Sequence, residues 1–328
     1  MPALIKPAAG PGDAAAGRRE DVKVDVCVLT YRRPQSLMRL LGALQELRFP
    51  DEPPALRVVV VDNDPEGSAR EVCEDARSWL SAPLVYIVEK RRGIPQARNA
   101  ALAASLAHSH FLAFADDDEV PEPDWLAELL RVQHARNADA VAGPVLPRFE
   151  PGAARWLTRG GLFERPRHAT GARIDTAYTC NVLVRTAALA QMDALFDERL
   201  ALSGGSDSEF FERFAASGRR IVWADTAVVH EWVPASRLSV RWLLARAFRV
   251  GCASAGIERR RVVPRRSRTW HLANGCWCIL KGALLLGLAA LRGRVAAVRA
   301  LRLVWYGAGR LHGLRGFAYE EYRTIHVA

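Results

Sequence analysis

The stretch FADDDEVPEPDW, residues 114–125, places Asp116, Asp117, Asp118 and Glu119 side by side, directly after the apolar run HFLAFA. Adjacent carboxylates repel one another. Such a run is therefore either a turn bathed in water or a site whose charge a bound cation offsets. In an extended segment Asp116 and Asp118 point the same way and Asp117 the opposite way. Hard divalent cations such as Mg²⁺ or Mn²⁺ take oxygen ligands of this kind. Mg²⁺ is held through one or two carboxylates together with substrate phosphates, so a phosphorylated ligand is implied beside the metal. A second centre is GGSDSEFFERF, residues 204–214, where two glycines precede Asp207 and Glu209 at the start of a helix with Phe210, Phe211 and Phe214 turned inward. A carboxylate there can serve as a general base toward a hydroxyl, or it can cap the helix N-terminus.

The elements that position these groups follow from hydrophobic periodicity. VDVCVLTYRRP opens with a β-rich apolar run ending at Thr30, and QSLMRLLGALQEL follows with helical spacing at Leu37, Leu40, Leu41 and Leu44. LRVVVVDNDPEGS contains an almost wholly apolar strand that stops at Asp62; a strand apolar on both faces belongs in the middle of a parallel sheet covered by helices. EVCEDARSWL reads as a helix, LVYIVE as a third strand, IPQARNAALAASLA as a helix and HFLAFA as a fourth strand. This alternation is the pattern of a doubly wound α/β domain, with a mostly parallel sheet and helices on both faces. Ligands in such sheets bind beyond the carboxyl ends of the strands, so Thr30, Asp62 and the acidic run are expected to share one crevice.

The series VCVLTYRRP, VVVVDND, RGIPQARNAAL, FADDDEVPEPDWL and LSGGSDSEFFERFAASG, in that order, resembles the family 2 glycosyltransferases, nucleotide-sugar-dependent enzymes of the GT-A fold. The resemblance covers about residues 22–234. Within the family, VDNDPEGSA, YTCNVLVR, FDERL, GSDSEFF and HEWVPASRLSVRWLLARAFRVG look most like the glucosyltransferases of succinoglycan-type exopolysaccharide assembly. The resemblance implies that Thr30, Arg33, Asp62, Asp64, Gly93, Arg98, Asp116 and Asp117 bind the nucleotide sugar. Arg98, opening a helix after the Gly93 turn, would meet the diphosphate together with the helix N-terminus. The Asp116–Asp118 run matches the family's Asp-x-Asp signature, which makes Asp118 the direct metal contact with Asp116 beside it; His230 is the position some members use as a further ligand. The implied cofactor is Mn²⁺ or Mg²⁺. The family's base is the Asp of a Glu-Asp pair, which falls on Asp207 with Glu209 as the second candidate. Ser206 stands where the Glu usually does. Trp156, Tyr178 and Asn181 are candidates for an acceptor pocket, against packing roles for each.

Charge is unevenly distributed. Residues 235–328 carry 18 Lys or Arg against three acidic residues, +15, within a chain whose total is +10. Such asymmetry points to an anionic partner surface, nucleic acid or membrane. LSVRWLLARAFRV interleaves arginines with Leu and Trp, and CWCILKGALLLGLAAL, residues 276–291, is the most apolar stretch. At ~1.5 Å per residue that stretch reaches about 24 Å, short of a ~30 Å hydrocarbon core, and Lys281 interrupts it. Amphipathic helices lying on an anionic leaflet are expected, with a helical subdomain packed on the enzyme body as the alternative. The organisation expected is thus a disordered tail over residues 1–21, a glycosyltransferase domain over 22–234, and a basic membrane-associating region over 235–328.

The activity expected is that of a metal-dependent inverting enzyme at the cytoplasmic face of the cell membrane, moving glucose from UDP-glucose to a lipid-linked saccharide. Another nucleotide sugar with a soluble acceptor is the alternative. A nucleic-acid-binding protein fits the charge, but long aliphatic runs stand where exposed aromatics or a recognised motif are expected, so no nucleic acid is expected as a partner. A dinucleotide-dependent oxidoreductase lacks its GxGxxG after the first strand, where TYRRPQSL stands. The six cysteines form no CxxC pair, so neither a structural zinc site nor a disulfide framework is indicated, and a reducing compartment is favoured.

Overall fold

A computed structural model of the chain describes residues 21–201, 204–260 and 267–315. The expected disordered tail, up to residue 20, and residues 261–266 of the basic run lie outside the described residues. The first half alternates as its periodicity requires: β1 (Lys23–Thr30), α1 (Pro34–Gln45), β2 (Ala55–Asp62), α2 (Arg70–Ala76), β3 (Leu84–Val88), α3 (Ile94–Ser105), β4 (Phe111–Asp116), β5 (Glu119–Pro121) and α4 (Trp125–Arg136). Next come β6 (Ala140–Ala142), β7 (Val145–Phe149), α5 (Arg155–Thr158), β8 (Arg173–Ile174), β9 (Asn181–Arg185), α6 (Thr186–Ala190), α7 (Ser206–Ala216), β10 (Ile221–Trp223) and β11 (Val229–Val233). Three long helices come last among the described residues: α8 (Val240–Arg260), α9 (Arg268–Arg292) and α10 (Arg294–Leu314).

An eight-stranded sheet runs in the order β3-β2-β1-β4-β9-β6-β10-β8. It is parallel from β3 to β4, and β9 enters antiparallel between β4 and β6. Period-2 alternation divides its apolar residues between two layers. Val24, Val26, Val28, Val58 and Val60 pack with Leu37, Leu40 and Leu41 of α1 and with Trp125, Leu126 and Leu129 of α4. On the other face, Cys27, Val59, Val61, Leu112 and Phe114 pack with Ala101 and Leu102 of α3 and with Phe210, Phe211 and Phe214 of α7. Helices therefore cover both faces of the sheet, as the sequence predicts.

A smaller sheet, β5-β11-β7, stands beside the acidic turn, with Glu231 of β11 opposite Glu119 of β5. The C-terminal helices are joined to the body through a third apolar cluster of Leu157, Leu162, Phe163, Val233, Leu243 and Val298. Arg299 and Arg302 of α10 donate to the carbonyls of Gly160 and Leu162 at 2.8 Å. A Cβ on Gly309 would stand 2.0 Å from the Phe248 carbonyl oxygen, so α8 and α10 meet backbone to backbone. α9 runs 25 residues, well beyond the 16-residue apolar window. Its Arg268–Ala289 segment is long and apolar enough to cross a membrane by length and composition, where the sequence reading expected a stretch too short to span.

Candidate active site

The register fixes where the strand ends meet: Thr30 lies opposite Asp62 on β2, and Leu29 opposite Asp116 on β4. A cavity of about 620 Å³ opens at this edge. Of the expected residues, Thr30, Arg33, Gly93 and Arg98 line it together with Asp116, Asp117, Asp118 and Asp207. Residues 30 and 207 thus reach one space from opposite ends of the domain.

The acidic turn is held by a short network. Thr30 Oγ1 donates to Asp117 Oδ2 at 2.8 Å. Arg33 Nη1 donates to Asp117 Oδ1 and Asp118 Oδ2, both at 3.1 Å. Glu119 Oε2 accepts the Asp116 backbone N–H at 2.8 Å, which closes the turn on itself. Burial pushes the Asp116 carboxyl up to about 6 against the opposing pull of Arg98. Burial also raises Asp117, with Asp118 adding to it, and Asp118, with Glu231 adding to it. Glu119 is driven well above the ordinary carboxylate range by burial and by Asp116. These carboxylates crowd a site that asks for positive charge.

Asp207 occupies the first turn of α7, where its Oδ1 accepts the Ser208 backbone N–H at 2.8 Å. It has no ion-pair partner among the described residues. Ser206, the departure from the family pattern, is buried and accepts a hydrogen bond from Arg98 Nη1 at 2.8 Å. Arg98 is itself buried, lies over the Phe196 ring at 5.3 Å and ties α3 to the start of α7. Gly93 precedes α3 at φ 148°, where a Cβ would stand 2.0 Å from Gln96 Oε1 and 2.8 Å from Ala201 Cβ.

Four expected residues do not reach the cavity wall. Asp62 is fully buried, and its carboxylate accepts from the backbone N–H of Asp64 (3.0 Å) and Ala69 (2.7 Å) and from the Tyr86 hydroxyl (2.9 Å). It holds the β2–α2 turn. Asp64 is buried and paired with Arg32 Nε at 3.0 Å. Glu209 points away and is bound to Arg213 one helical turn on, at 2.8 Å. His230 lies inside β11, and its Nε2 meets Glu122 Oε1 at 2.9 Å. Strand alternation turns its neighbour Glu231 into the cavity instead. Of the three acceptor candidates, only Tyr178 lines the cavity. Trp156 packs in the third apolar cluster. Asn181 is buried, accepting from Trp125 Nε1 at 2.8 Å and donating to the carbonyls of Pro144 and Ala227.

Other residues at the site escaped the sequence reading. Asn63 accepts the Gly93 N–H on Oδ1 at 2.8 Å and donates through Nδ2 to the carbonyls of Glu89 and Arg91, both at 2.9 Å. It fixes the loop that leads into α3. Arg165 Nη2 and Arg237 Nη1 grip Glu231 at 3.0 and 3.1 Å. Trp242, Arg246, Arg249 and Ala253 of α8 complete the wall, so this helix builds the site as well as following the domain in sequence. The signal for Asn63 was its place directly after a strand-ending Asp; nothing in the spacing of α8 separates a cavity wall from a membrane face.

The donor set fits a hard divalent cation. Asp116 and Asp118 offer carboxylate oxygens to one space, beside Glu231, whose two oxygens are held by Arg165 and Arg237. No group of three or more His, Cys, Asp or Glu is gathered as a ready cage among the described residues. That suits an ion taking one or two carboxylates and completing its shell with phosphate and water.

The model of the family described as Glycosyl transferase family 2 matches residues 25–195. The chain is 37% identical over 314 residues to the succinoglycan biosynthesis protein ExoM of Rhizobium meliloti (strain 1021), covering 94% of this chain and 98% of that protein. Among solved structures it is similar to the mannosyltransferase PcManGT from Pyrobaculum calidifontis in complex with GDP-Man and Mn²⁺. The TM-score is 0.61 at 20% identity, over 93% of this chain and 90% of that one. It is also similar to residues 1–349 of S. aureus TarS in complex with UDP, with a TM-score of 0.52 at 19% identity, over 91% and 93% of the two chains. These structural likenesses establish a shared GT-A fold.

Proposed function

Since the chain belongs to glycosyl transferase family 2, we propose that it moves glucose from UDP-glucose to a lipid-linked saccharide in exopolysaccharide assembly, with inversion at the sugar and with Mn²⁺ or Mg²⁺ bound. The observation that carries this reading is that the carboxylate of Asp207, without an ion-pair partner among the described residues, lines the same cavity as Asp116 and Asp118. Asp207 removes the proton of the attacking acceptor hydroxyl as that oxygen bonds to the sugar carbon on the face opposite the leaving nucleoside diphosphate. One base and no enzyme nucleophile fit a single displacement. A divalent cation bound at Asp118, with Asp116 beside it, would offset the charge that develops on the leaving diphosphate. Thr30 and Arg33 hold Asp117 and shape the turn, and Arg98 holds the start of α7 so that Asp207 faces the cavity.

The lipid-linked acceptor and a peripheral site at the cytoplasmic face of the cell membrane are supported by α9. Trp270, Trp277, Leu280, Leu284, Leu288 and Leu291 form one exposed stripe on it, with Leu291 88% and Leu284 69% exposed. Lys281, Arg292 and Arg294 are exposed around that stripe. The opposite side packs on α10, where a Cβ on Gly307 would stand 2.6 Å from the Gly275 carbonyl oxygen. α10 is in turn anchored to the body, so α9 reads as a surface-lying helix of the enzyme, its outer face inserted in lipid. A donor screen tests the activity: release of nucleoside diphosphate from UDP-glucose, UDP-galactose, UDP-N-acetylglucosamine and GDP-mannose, with and without Mn²⁺. UDP-glucose alone should turn over, and only with metal. Turnover of another donor would move the sugar assignment, and full turnover in excess chelator would remove the metal.

A further inference from the structure

α8 places a cation in the cavity without an anion to match it. Arg246 lines the cavity, and among the described residues no carboxylate lies within ion-pair distance of it. The two oxygens of the nearby Glu231 are already taken by Arg165 and Arg237, and Oδ2 of Asp118 is taken by Arg33. The contact that remains is the Trp242 ring, 5.3 Å beneath the guanidinium. That indole is fixed by stacking on Phe163, with centroids 6.0 Å apart and planes at 16°, and Arg237 lies over it at 5.8 Å. Arg246 is therefore held in place by packing, and the anion nearest in effect, Glu231, is shared with Arg165 and Arg237. Burial, with Arg165 next in size, lowers its pKa, so holding this cation costs free energy that an anion would relieve.

We propose that Arg246 is a ligand for a substrate phosphate group, so that the C-terminal helices supply part of the phosphate site. The inference rests on the glycosyl-transfer reading and extends it to a residue outside the family-matched segment. A guanidinium presents a planar fork that takes phosphate oxygens two at a time, which a packing role on Trp242 does not require. Two substrates bring such a group: the nucleoside diphosphate of the donor and the pyrophosphate of a lipid-linked acceptor. Asp207 and Tyr178 share this part of the cavity with Arg246, so either source can reach it.

The test is calorimetric titration of the full chain with uridine, UDP and inorganic pyrophosphate, in the presence of Mn²⁺, for wild type, Arg246→Gln and Arg246→Lys. Loss of a charge-assisted hydrogen bond should weaken pyrophosphate and UDP binding roughly tenfold or more in Arg246→Gln, with uridine unchanged. Arg246→Lys should fall between, because it keeps the charge and loses the fork. If UDP binding is unchanged but the KM for the pyrophosphate-linked acceptor rises by a similar factor with kcat held, the phosphate is the acceptor's and the assignment stands. Unchanged affinity for UDP and pyrophosphate with unchanged acceptor KM, in a variant that melts like wild type, would overturn it. Should Arg246→Gln fail to fold, Arg246→Lys decides by the same readings. A wild type that binds pyrophosphate but not UDP would count against the glycosyl-transfer reading and not against Arg246.

Discussion

Replacing Asp207 by Asn separates catalysis from architecture. Asn keeps an Oδ1 that can accept the Ser208 N–H, now at 2.8 Å, so the start of α7 should survive. What is lost is the proton acceptor, which contributes about 10²- to 10⁴-fold to turnover. At ~1.36 kcal/mol per tenfold, that is roughly 2.7–5.4 kcal/mol of barrier. The contrast is Glu209→Gln, which removes the pair with Arg213 one helical turn away. Such a partly exposed i,i+4 pair is worth only about 0.3–0.5 kcal/mol and touches no cavity surface. Steady-state release of UDP in the presence of acceptor, with UDP affinity measured separately, distinguishes the two. Asp207→Asn should lower kcat about 100-fold or more with UDP affinity unchanged, and Glu209→Gln should stay within about threefold of wild type. If Glu209→Gln abolishes turnover while Asp207→Asn keeps it, α7 is turned differently in the working enzyme and the base assignment fails.

Asn63→Ala removes three hydrogen bonds that fix the loop into α3; it should destabilise the protein by about 1–3 kcal/mol and loosen nucleotide binding, as read by urea unfolding and by UDP titration. Because Asp116, Asp117, Asp118 and Glu119 all titrate higher in the folded chain than at the ~4 of an unfolded carboxylate, their protonated forms stabilise the fold fully below that pH. That stability is lost as pH rises through their folded values, about 6 for Asp116. Without metal or nucleotide, Tm should therefore fall between pH 5 and 7.5, less so in Asp116→Asn; a flat profile, or the same slope in the variant, contradicts the electrostatic account. On α9, Trp277→Gln with Leu284→Gln should reduce sedimentation with anionic vesicles while leaving UDP affinity intact, and salt should weaken what remains. Unchanged sedimentation, or retention at high salt and alkaline pH until detergent is added, would contradict a surface-lying helix.

The parts of the site on the parallel half of the sheet were legible because strands apolar on both faces end abruptly in polar residues. Thr30 and Asp116 end their strands in this way, while Asp118 rests on the resemblance to the Asp-x-Asp signature. Asp62 ends its strand in the same way, yet it faces inward, and the sequence does not show that Ala69 and Tyr86 fold back upon it. His230 and Glu231 are neighbours in a strand, so a one-residue choice of face decides which of them meets the cavity, and the apolar run before them did not fix that choice. The arginines of α8 alternate with Leu and Ala in a way that serves a lipid surface or an active-site wall equally well. Leu243 and Ala247 are buried and Arg246 faces the cavity, a distinction that the packing makes and the spacing does not. The apolar window of α9 is shorter than the helix because polar residues interrupt the window without interrupting the helix.

The most direct measurement is UDP binding to the purified full chain by titration calorimetry, with Mn²⁺ and with excess chelator, in wild type and Asp118→Asn. One cavity joining nucleotide, cation and Asp118 requires at least about tenfold tighter binding with Mn²⁺ in wild type and little or no such gain in Asp118→Asn, with uridine binding alike in both proteins. Equal UDP affinity with and without the metal, or a full Mn²⁺ gain retained by Asp118→Asn, would contradict it.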